Sequence, residues 1–520
     1  MIKKFLNNKS KTIASAAIIL GAASLVSRLL GLVRDRILAG KFGAGDELDI
    51  YYTAFRIPDL VYSILVLGAI TAGFIPVFIN YLQKDKNNAW YLANSILNLI
   101  GLSLIVICLI LIVFAPWLIK LIAPGFSPEK LSATVELARV MFLSSFFLGI
   151  STVLGGILRS FKRFLVYSLG PIMYNLGIIF GALFLIEPYG LLGLAYGVVL
   201  GSFFHMAIQV PTSFFCGFRW APIFDFRFEG VKRIFKLMPP RVLNLILFQI
   251  DFLAMTIIAS FLAVGSIAVY NLAHNIWSFP LGIFGISFVL AVFPKLSESA
   301  QKRDTQRFIK EFSLVARQIL FFTLPSAALV IVLRAEIVQV ILGTGNFDVY
   351  DVSLTLKTLA YFSIALFAEA LILLLLRGFF AWEDAWRPFV IGLFATTIRV
   401  SSALFLSRFM GVPGLALGFS LGGIFYMILL FVFLKRKIGF IDGKKIFISG
   451  IKMVLASLLA GLGAYISLQF LIALVNINVV LNALIQGALA GLVGILIYLF
   501  FSWIFKLSEL KFFLNSLFKK

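Results

Sequence analysis

Charged residues recur at a fixed spacing within apolar sequence near the start of the chain. Arg28 and Asp35 are seven residues apart in one apolar segment, and Asp49 and Arg56 repeat that spacing in reverse order in the next. Seven residues make about two helical turns, or roughly 10 Å, so each pair shares a helix face. In two antiparallel helices Arg28 and Arg56 would lie at one level. Because guanidinium groups bind phosphate oxygens in bidentate fashion, this arrangement predicts a two-arginine anion clamp.

The remaining charges of this hairpin predict a second level, nearer the outer face. Asp35 and Asp49 would meet there, and Arg34 adds a positive charge. Such a mixed set would hold the two helices together. The alternative, that Arg34, Asp35 and Asp49 are helix-end charges that snorkel or pair locally, stays open. The intervening GKFGAG from Gly40 lacks the GK[ST] of a phosphate loop, so its glycines predict a tight turn.

Composition places this hairpin in a membrane protein. The 520 residues are 61% hydrophobic and 13% charged, with a mean hydropathy of +1.04, which one soluble core could not bury. Apolar runs of about 20 residues, long enough to cross a bilayer, recur along the chain. We therefore predict an all-α integral membrane protein with about fourteen transmembrane helices. The predicted spans are 12–33, 48–78, 92–118, 132–157, 164–186, 190–215, 238–262, 266–293, 312–333, 352–376, 388–407, 412–434, 446–472 and 478–504.

The distribution of basic residues predicts the orientation. The net charge is +22. With a cytoplasmic N-terminus, thirty Lys or Arg fall in the inner loops and tails and seven in the outer loops, which is the bias that orients membrane proteins. We expect both termini in the cytoplasm, an uncleaved first helix and no nucleic-acid partner. Cys108 and Cys216 lie in or beside apolar segments and suggest neither a disulfide nor a metal site, and we expect no cofactor.

An internal repeat divides the chain. GLAYGVVLGSFFHM from Gly193 matches GLALGFSLGGIFYM from Gly414 at eight of fourteen positions, at an offset of 221. ILRSF from Ile157 matches LLRGF from Leu375 at 218. Six helices per repeat predict two lobes related by a pseudo-two-fold axis along the membrane normal, with the substrate path between them. We predict an N-lobe at 1–222, a C-lobe at 223–440, and two extra helices at 441–520 that cradle a lipid tail.

Charges deeper in the chain are further cavity candidates. Asp251, Glu369 and Arg399 lie in the seventh, tenth and eleventh predicted spans. Arg399 either supplies cavity charge or neutralises Glu369, and the sequence does not rank the two. Since sodium sites need convergent carboxylates and carbonyls, only Asp251 and Glu369 are candidates. The coupling ion and the oligomeric state stay undetermined.

The hairpin resembles a known family. SRLLGLVRD from Ser27, FGAG from Phe42, Asp49 and AFRIPDL from Ala54 resemble the signature of the MurJ (MviN) lipid II flippases, of the multidrug/oligosaccharidyl-lipid/polysaccharide exporter superfamily. FPLGIFGIS, VFPKLS and LLRGFFAWEDAWRP also look like that family's second lobe, so the resemblance covers essentially the whole chain. The family residues that match are Arg28, Arg34, Asp35, Asp49 and Arg56.

The resemblance implies a transporter rather than an enzyme. Such proteins move undecaprenyl-pyrophosphate-linked disaccharide-pentapeptide from the inner to the outer leaflet of the bacterial cytoplasmic membrane for peptidoglycan synthesis. Lipid II and membrane lipids are the implied partners, alternating access is the implied mechanism, and the two extra helices form the groove for the polyprenyl tail.

Four positions depart from the family pattern. Tyr62 and Ser63 stand where a basic pair is usual, Leu67 replaces a glutamate, and Asn275 replaces an arginine in the eighth helix, with His274 beside it. The exact lipid-linked substrate is therefore open. The alternatives are a flippase for another polyprenyl-linked glycan of O-antigen or capsule type, a cation-coupled drug exporter, and a scaffold that has lost transport.

Overall fold

The computed structural model describes residues 13–67, 73–474 and 478–518, with side chains described at most of these positions. The chain forms two compact units: the described residues up to Leu38 with Gly45–Ile267, and Ala39–Ala44 with the described part of Ala268–Lys520. Helices account for nearly all of both. In a bilayer a helix satisfies its own backbone hydrogen bonds, which explains this architecture.

Helices α1 to α12 supply the first unit. They are α1 (Ile13–Phe42), α2 (Asp46–Ala54), α3 (Arg56–Val61), α4 (Ile75–Lys84), α5 (Lys86–Ile122), α6 (Pro128–Ser160), α7 (Phe164–Phe180), α8 (Ile186–Tyr189), α9 (Leu192–Ala207), α10 (Val210–Phe215), α11 (Glu229–Leu237) and α12 (Pro239–Ser260). Wider π-helical turns follow α3 at Tyr62–Leu67 and α7 at Gly181–Leu185.

Helix α13 (Ser266–Pro280) runs from the first unit into the second and continues as a π-helical segment at Leu281–Ile286. The helices that follow are α14 (Ser287–Gln301), α15 (Thr305–Val332), α16 (Arg334–Ile341), α17 (Val349–Ile364), α18 (Leu366–Ala381), α19 (Trp386–Met410), α20 (Val412–Ile438), α21 (Gly443–Leu474), α22 (Val479–Ile504) and α23 (Ser508–Phe518).

The described residues of all fourteen predicted spans are mostly helical. Among the described residues, ten helices are long and apolar enough to cross a membrane, and the bent pair α17 and α18 adds an eleventh if the two count as one span. The other three predicted spans fall on α1, on the interrupted stretch α2 to α4, and on α12. The all-α membrane fold is confirmed, and the count of fourteen is consistent with these helices.

Local sequence sets several helix boundaries. Asp85 caps α5 by accepting hydrogen bonds from the backbone N–H groups of Asn87 and Asn88 at 2.8 and 3.3 Å. Ser127 caps α6 in the same way, and Pro128 occupies a first-turn position that needs no N–H. These boundaries separate α4, α5 and α6 with short breaks.

The first unit has an aromatic and aliphatic core between α4, α5, α6 and α11. Phe74, Phe78, Leu92, Ile96 and Leu154 are buried in it. Helix α12 also packs in this unit, against α3, α5 and the π-helical segment Tyr62–Leu67. The predicted lobe limits, 1–222 and 223–440, describe the sequence repeat and stay a prediction.

The second unit is built around α15. Helices α18 and α21 pack against α15, and Phe312, Leu375, Phe379 and Leu434 are buried there. The hydroxyl of Tyr498 on α22 donates to the carbonyl of Phe321 at 2.8 Å. The two helices beyond the repeat are therefore fastened to the second unit by both packing and hydrogen bonding.

The glycines after α1 make the predicted tight turn. Gly43 has φ of 64°, a conformation that L side chains rarely adopt. This segment is held within the second unit, where Asn346 donates through its backbone N–H to the Gly40 carbonyl at 2.9 Å. The carboxylate of Asp351 accepts from the Ala44 N–H at 2.8 Å.

Candidate functional site

Arg34 and Asp35 form an ion pair on α1. The Nε and Nη2 atoms of Arg34 donate to Oδ1 of Asp35 at 3.0 and 2.8 Å, and Asp35 is buried. The Nη1 atom of Arg34 donates to the amide oxygen of Asn175 on α7 at 3.2 Å. Asn175 in turn donates to the backbone carbonyl of Ser27 at 3.2 Å. One amide on α7 thus holds the signature segment of α1 at two points.

Arg56 is buried at the start of α3 and faces α12. Its Nε donates to the Thr256 hydroxyl at 2.9 Å, and its guanidinium lies 5.1 Å from the ring centroid of Phe252. The carboxylate of Asp59, next along the helix, lies within electrostatic range of both Arg56 and Arg34. Asp59 is thus close enough to attract both arginines within the first unit.

Asp49 belongs to a different ion network. The Nζ atom of Lys130 lies 2.8 Å from Asp49 and 2.5 Å from Asp46. The backbone N–H of Gly265 also donates to Asp49, at 2.9 Å. Asp49 is buried, so it ties α2 both to the start of α6 and to the turn before α13. Its geometry suits a structural tie.

Arg28 lines a cavity of about 380 Å³ inside the first unit. Helix α6 contributes Thr152 and Arg159 to the lining, and α7 contributes Tyr167. The guanidinium of Arg159 lies 4.7 Å from the ring centroid of Tyr167. Arg56 is not among the residues that line this cavity, and its predicted pairing with Arg28 stays a prediction.

The departures from the family pattern have distinct surroundings. Tyr62 lines the same cavity, and its hydroxyl lies 3.2 Å from that of Thr152. Ser63 accepts a hydrogen bond from the side-chain amide of Gln249 at 2.7 Å. The side chain of Leu67 lies outside the described residues. Neutral hydrogen bonds thus occupy both positions where the family usually has basic residues.

The second unit contains a buried ion pair. Nη2 of Arg399 on α19 lies 2.5 Å from Oε1 of Glu369 on α18, and both side chains are buried. The Arg399 guanidinium also lies 4.1 Å from the ring centroid of Phe419 on α20. Of the two roles left open by the sequence, the contact to Glu369 is the one that the structure contains.

His274 lies in an aromatic cluster of the second unit. The ring of His274 lies 5.1 Å from Trp277, 5.6 Å from Phe362 and 6.1 Å from Phe419. Asn275 is half-buried beside it on α13. His274 therefore has a packing environment of the kind that is ordinary for a lone histidine. Asp251 is buried on α12, in the first unit.

Sequence reasoning missed three residues of this site. Lys130 and Arg159 were counted as loop charges, because both stand at the ends of apolar spans. Asn175 carries no charge and gave no signal within its apolar span. The motif ILRSF, which recurs as LLRGF, offered the one available hint to Arg159, since the arginine is kept in both copies of the repeat.

Comparisons with known proteins agree on one family. The family described as "Lipid II flippase MurJ" matches residues 38–485. A relative from Buchnera aphidicola, described as "Probable lipid II flippase MurJ", is 28% identical over 500 residues, covering 95% of this chain and 97% of its own.

Solved structures agree as well. The structure described as "Lipid II flippase MurJ, inward closed conformation" aligns with a TM-score of 0.75 and 25% identity, over 94% of this chain and 98% of that one. An inward-facing multidrug transporter of the MATE family and MOP superfamily aligns with a TM-score of 0.68 over 82% and 99%. At 17% identity, that second likeness concerns the fold alone.

Proposed function

The chain belongs to the lipid II flippase MurJ family, and we propose on that basis that it carries lipid II across the bacterial cytoplasmic membrane. The cargo is the undecaprenyl-pyrophosphate-linked peptidoglycan precursor, and the direction is from the inner to the outer leaflet. The observation that carries this proposal is the family match over residues 38–485. It favours lipid II over the O-antigen, capsule and drug-export alternatives.

The charges of the first unit suit that cargo. A pyrophosphate carries several negative charges, and Arg28, Arg34 and Arg56 place guanidinium groups on α1 and α3. Guanidinium groups stay ionised and bind phosphate oxygens through paired hydrogen bonds. Asp35 lowers the net charge at Arg34 and fixes its orientation. In this proposal the protein binds and moves its cargo and performs no chemical step on it.

We place the headgroup in the protein and the tail in lipid. The two units would alternate between an inward-open and an outward-open arrangement, as expected for lobes of a repeat. Helices α21 and α22 expose many large apolar side chains, among them Leu458, Phe470 and Leu496. Such a surface could accompany a polyprenyl chain at little cost in free energy, because the chain exchanges one apolar neighbour for another. The thirty-to-seven bias of basic residues supports cytoplasmic termini.

The test is rescue of a bacterium depleted of its own lipid II flippase. We expect the parent chain to restore growth and outer-leaflet lipid II, and Arg34→Ala to fail, because that change removes a guanidinium that binds the pyrophosphate in this proposal. Lys302→Ala is the matched control: it also removes one positive charge, but from an exposed surface pair of small energetic value. Equal protein levels in the membrane are measured for all three.

Three outcomes distinguish lipid II transport from the alternative functions. Rescue by the parent and by Lys302→Ala, but not by Arg34→Ala, supports lipid II transport through this arginine. Rescue by all three contradicts the role of Arg34. The parent chain could instead insert well, fail to rescue, and restore export of another polyprenyl-linked glycan. In that case the other glycan, and not lipid II, is the cargo.

A further inference from the structure

A basic segment connects two apolar helical stretches of the first unit. A candidate membrane span ends at Phe215 just before it, and α12 begins at Pro239 just after it. This connecting segment, residues 219–237, contains five Lys or Arg and two carboxylates. All five basic side chains are exposed: Arg219, Arg227, Lys232, Arg233 and Lys236. Because both of its ends are tethered to apolar helices, the connecting segment lies close to the surface of the bilayer that these helices enter.

Large aromatic rings are exposed among these cations. Trp220, Phe224 and Phe226 are 60%, 54% and 61% exposed, whereas Ile223 and Asp225 between them are half-buried. Exposed apolar surface of this size in water costs free energy, and a cluster of it marks a site of interaction. Aromatic side chains are favoured at the headgroup level of a membrane, where one part of the ring meets lipid and another meets water.

Two buried asparagines of α5 hold the start of the connecting segment. Asn94 donates to the Arg219 carbonyl at 3.0 Å and accepts from the Ala221 N–H at 2.8 Å. Asn98 donates to the Ala221 carbonyl at 2.7 Å, and its amide oxygen accepts from the indole N–H of Trp220 at 2.9 Å. The polar edge of the Trp220 ring is therefore satisfied by the protein, while its apolar surface stays exposed.

Asp225 orders the turn that leads into α11. Its Oδ2 accepts from the Tyr91 hydroxyl at 3.0 Å, and its Oδ1 accepts from the backbone N–H groups of Arg227 and Phe228 at 2.8 and 3.0 Å. The carboxylate is thus occupied by neutral donors of the turn and of α5. The exposed rings and cations on either side of it are displayed by an ordered backbone.

Helix α11 has one face in the protein core and one face outside it. Val231 and Ile234 are buried among the core residues of the first unit. Lys232, Arg233 and Lys236 are exposed. Since the apolar face of α11 is already covered by the protein, its cationic face is the one left for a partner, and that partner must carry negative charge.

We propose that the connecting segment is a binding surface for the anionic phospholipid headgroups of the leaflet that it faces. The cations of α11 bind lipid phosphates, and the exposed rings lie at headgroup level. Each Lys or Arg near an anionic bilayer adds to the attraction, so this charge cluster favours anionic over zwitterionic lipid. In the orientation proposed above, the leaflet is the cytoplasmic one. The inference goes beyond the proposed function and holds whichever lipid-linked glycan is the cargo.

The first experiment places a polarity-sensitive fluorophore on the connecting segment. In the full chain with Cys108→Ser and Cys216→Ser, Phe226→Cys is labelled and reconstituted into vesicles of phosphatidylcholine, alone or mixed with phosphatidylglycerol. Phosphatidylglycerol should shift the emission to shorter wavelength and increase quenching by lipids brominated close to the headgroup. Tyr350→Cys is the matched control, because Tyr350 is 65% exposed and lies beside two aspartates in the first turn of α17. Its emission should not depend on phosphatidylglycerol.

The second experiment removes the charges of α11 from the chain labelled at position 226. Short-chain phosphatidylglycerol is titrated into the parent and into the triple variant Lys232→Gln, Arg233→Gln, Lys236→Gln. A cation near an anionic lipid surface contributes about fivefold in affinity. The affinity of the triple variant should therefore fall about fivefold if one of the three contacts the lipid, and about a hundredfold if all three do. Lys232→Arg with Lys236→Arg keeps the charge and should keep the parental affinity.

A triple variant of the second unit controls for net charge. Lys302, Arg303 and Lys310 are also exposed, but their loop includes Glu298, whose carboxylate lies 2.8 Å from Lys302. The changes Lys302→Gln, Arg303→Gln and Lys310→Gln remove the same number of charges as the α11 variant. Because exposed charges with nearby counter-ions attract little, the affinity for phosphatidylglycerol should stay within about twofold of the parental value.

The outcomes distinguish a lipid-binding surface from other occupants. A response to phosphatidylglycerol at position 226 that is weakened by the α11 variant, but not by the control variant, supports the inference. Equal weakening by both variants means a general attraction of a basic protein for anionic lipid, and the inference fails. A probe at position 226 that ignores phosphatidylglycerol but is shielded by added cytoplasmic protein marks a protein-docking surface, which also overturns the inference. Rescue of the depleted bacterium tests the cargo separately, so either proposal can fail while the other stands.

Discussion

The two units carry the same pair of packed helices with different charges between them. In the first unit, Gly193 on α9 lies against Leu185, and in the second unit Gly414 on α20 lies against Leu406. Both members of this contact are shifted by the repeat offset of 221. The duplication seen in the sequence is thus also a duplication of a close helix contact.

The residues that lie between these packed helices differ in charge in the two units. Gly201 of the first unit, which faces Gly177, corresponds at the offset of 221 to Gly422 of the second, which faces Arg399. At the same offset Arg399 corresponds to Ile178, which carries no charge. At the offset of 218, Glu369 of the second unit corresponds to Ser151 of the first. The second unit therefore holds a cation and its own counter-ion. The first keeps a serine where that acid would be, beside a cavity lined by arginines.

This difference changes the charge and the stability of the two copies. A buried pair such as Arg399 and Glu369 is neutral as a whole, so it adds no attraction for an anion. It does cost a great deal to break, since removing one partner leaves the other charged and desolvated. The lining of the first-unit cavity contains Arg28 and Arg159 and, among the described residues, no Asp or Glu. The two units therefore differ in where the described structure pairs an arginine with a carboxylate.

The largest effect should come from breaking the ion pair of the second unit. Glu369→Gln leaves Arg399 charged and buried, and we expect a loss of about 3–5 kcal/mol in the free energy of unfolding. The double variant Glu369→Leu with Arg399→Met removes both charges and should recover most of that loss. Denaturation of the purified chain in detergent measures both. A single variant within about 1 kcal/mol of the parent would contradict the pairing.

A medium effect should come from the contact that the two units share. A Cβ on Gly197 would meet the backbone of Gly181, and one on Gly418 would meet the backbone of Ala403. Overpacking of this kind costs about 1–3 kcal/mol, so Gly197→Ala and Gly418→Ala should lower the free energy of unfolding by similar amounts.

Gly21→Ala provides the control for this pair of changes, because nothing lies within 4 Å of the added carbon. A helical Gly→Ala change without a clash stabilises by roughly 0.5–1 kcal/mol. If only one of Gly197→Ala and Gly418→Ala lowers the free energy of unfolding, the two helix contacts are less alike than the repeat offset indicates.

Sequence reasoning reached the fold because hydrophobic run length and repeat offsets are local, additive signals. The glycines that mark the helix contact were visible in the same way, as GLAYGVVLG and GLALGFSLG. The partners of buried charges were harder to find, because they depend on which helices meet. Lys130 reaches Asp49 across 81 residues, and Arg34 reaches Asn175 across 141. No spacing rule within one helix reports such contacts.

The charges at the ends of apolar spans were the other difficulty. A loop cation and a cavity cation look alike in sequence when each ends a hydrophobic run, and Arg159 was assigned to the loops for that reason. Arg399 was recognisable as buried because it stands in the middle of its span. Its partner stayed ambiguous until α18 and α19 were seen together. The position of a charged residue within its apolar span therefore predicts its burial better than its residue type does.

The smallest effect should come from the first-unit counterpart of Glu369. The Ser151 hydroxyl lies 2.6 Å from Nδ1 of His205 and accepts from the side-chain amide of Gln209 at 2.7 Å. Ser151→Ala removes these neutral hydrogen bonds but leaves no buried charge. The Gln209 amide keeps a second acceptor, the His205 carbonyl at 3.1 Å. We therefore expect a loss of about 1 kcal/mol, several times less than for Glu369→Gln.

Ser151→Cys offers a near-isosteric control, since a thiol keeps the shape of the site and forms weaker hydrogen bonds. Its loss should be no larger than that of Ser151→Ala. Unfolding of the three variants and the parent in one detergent, at one pH, gives the comparison directly. Equal losses for Ser151→Ala and Glu369→Gln would mean that the serine position is as strongly coupled as the ion pair. In that case the two units would share the structural task, and an anion site in the first would have to coexist with a rigid polar network.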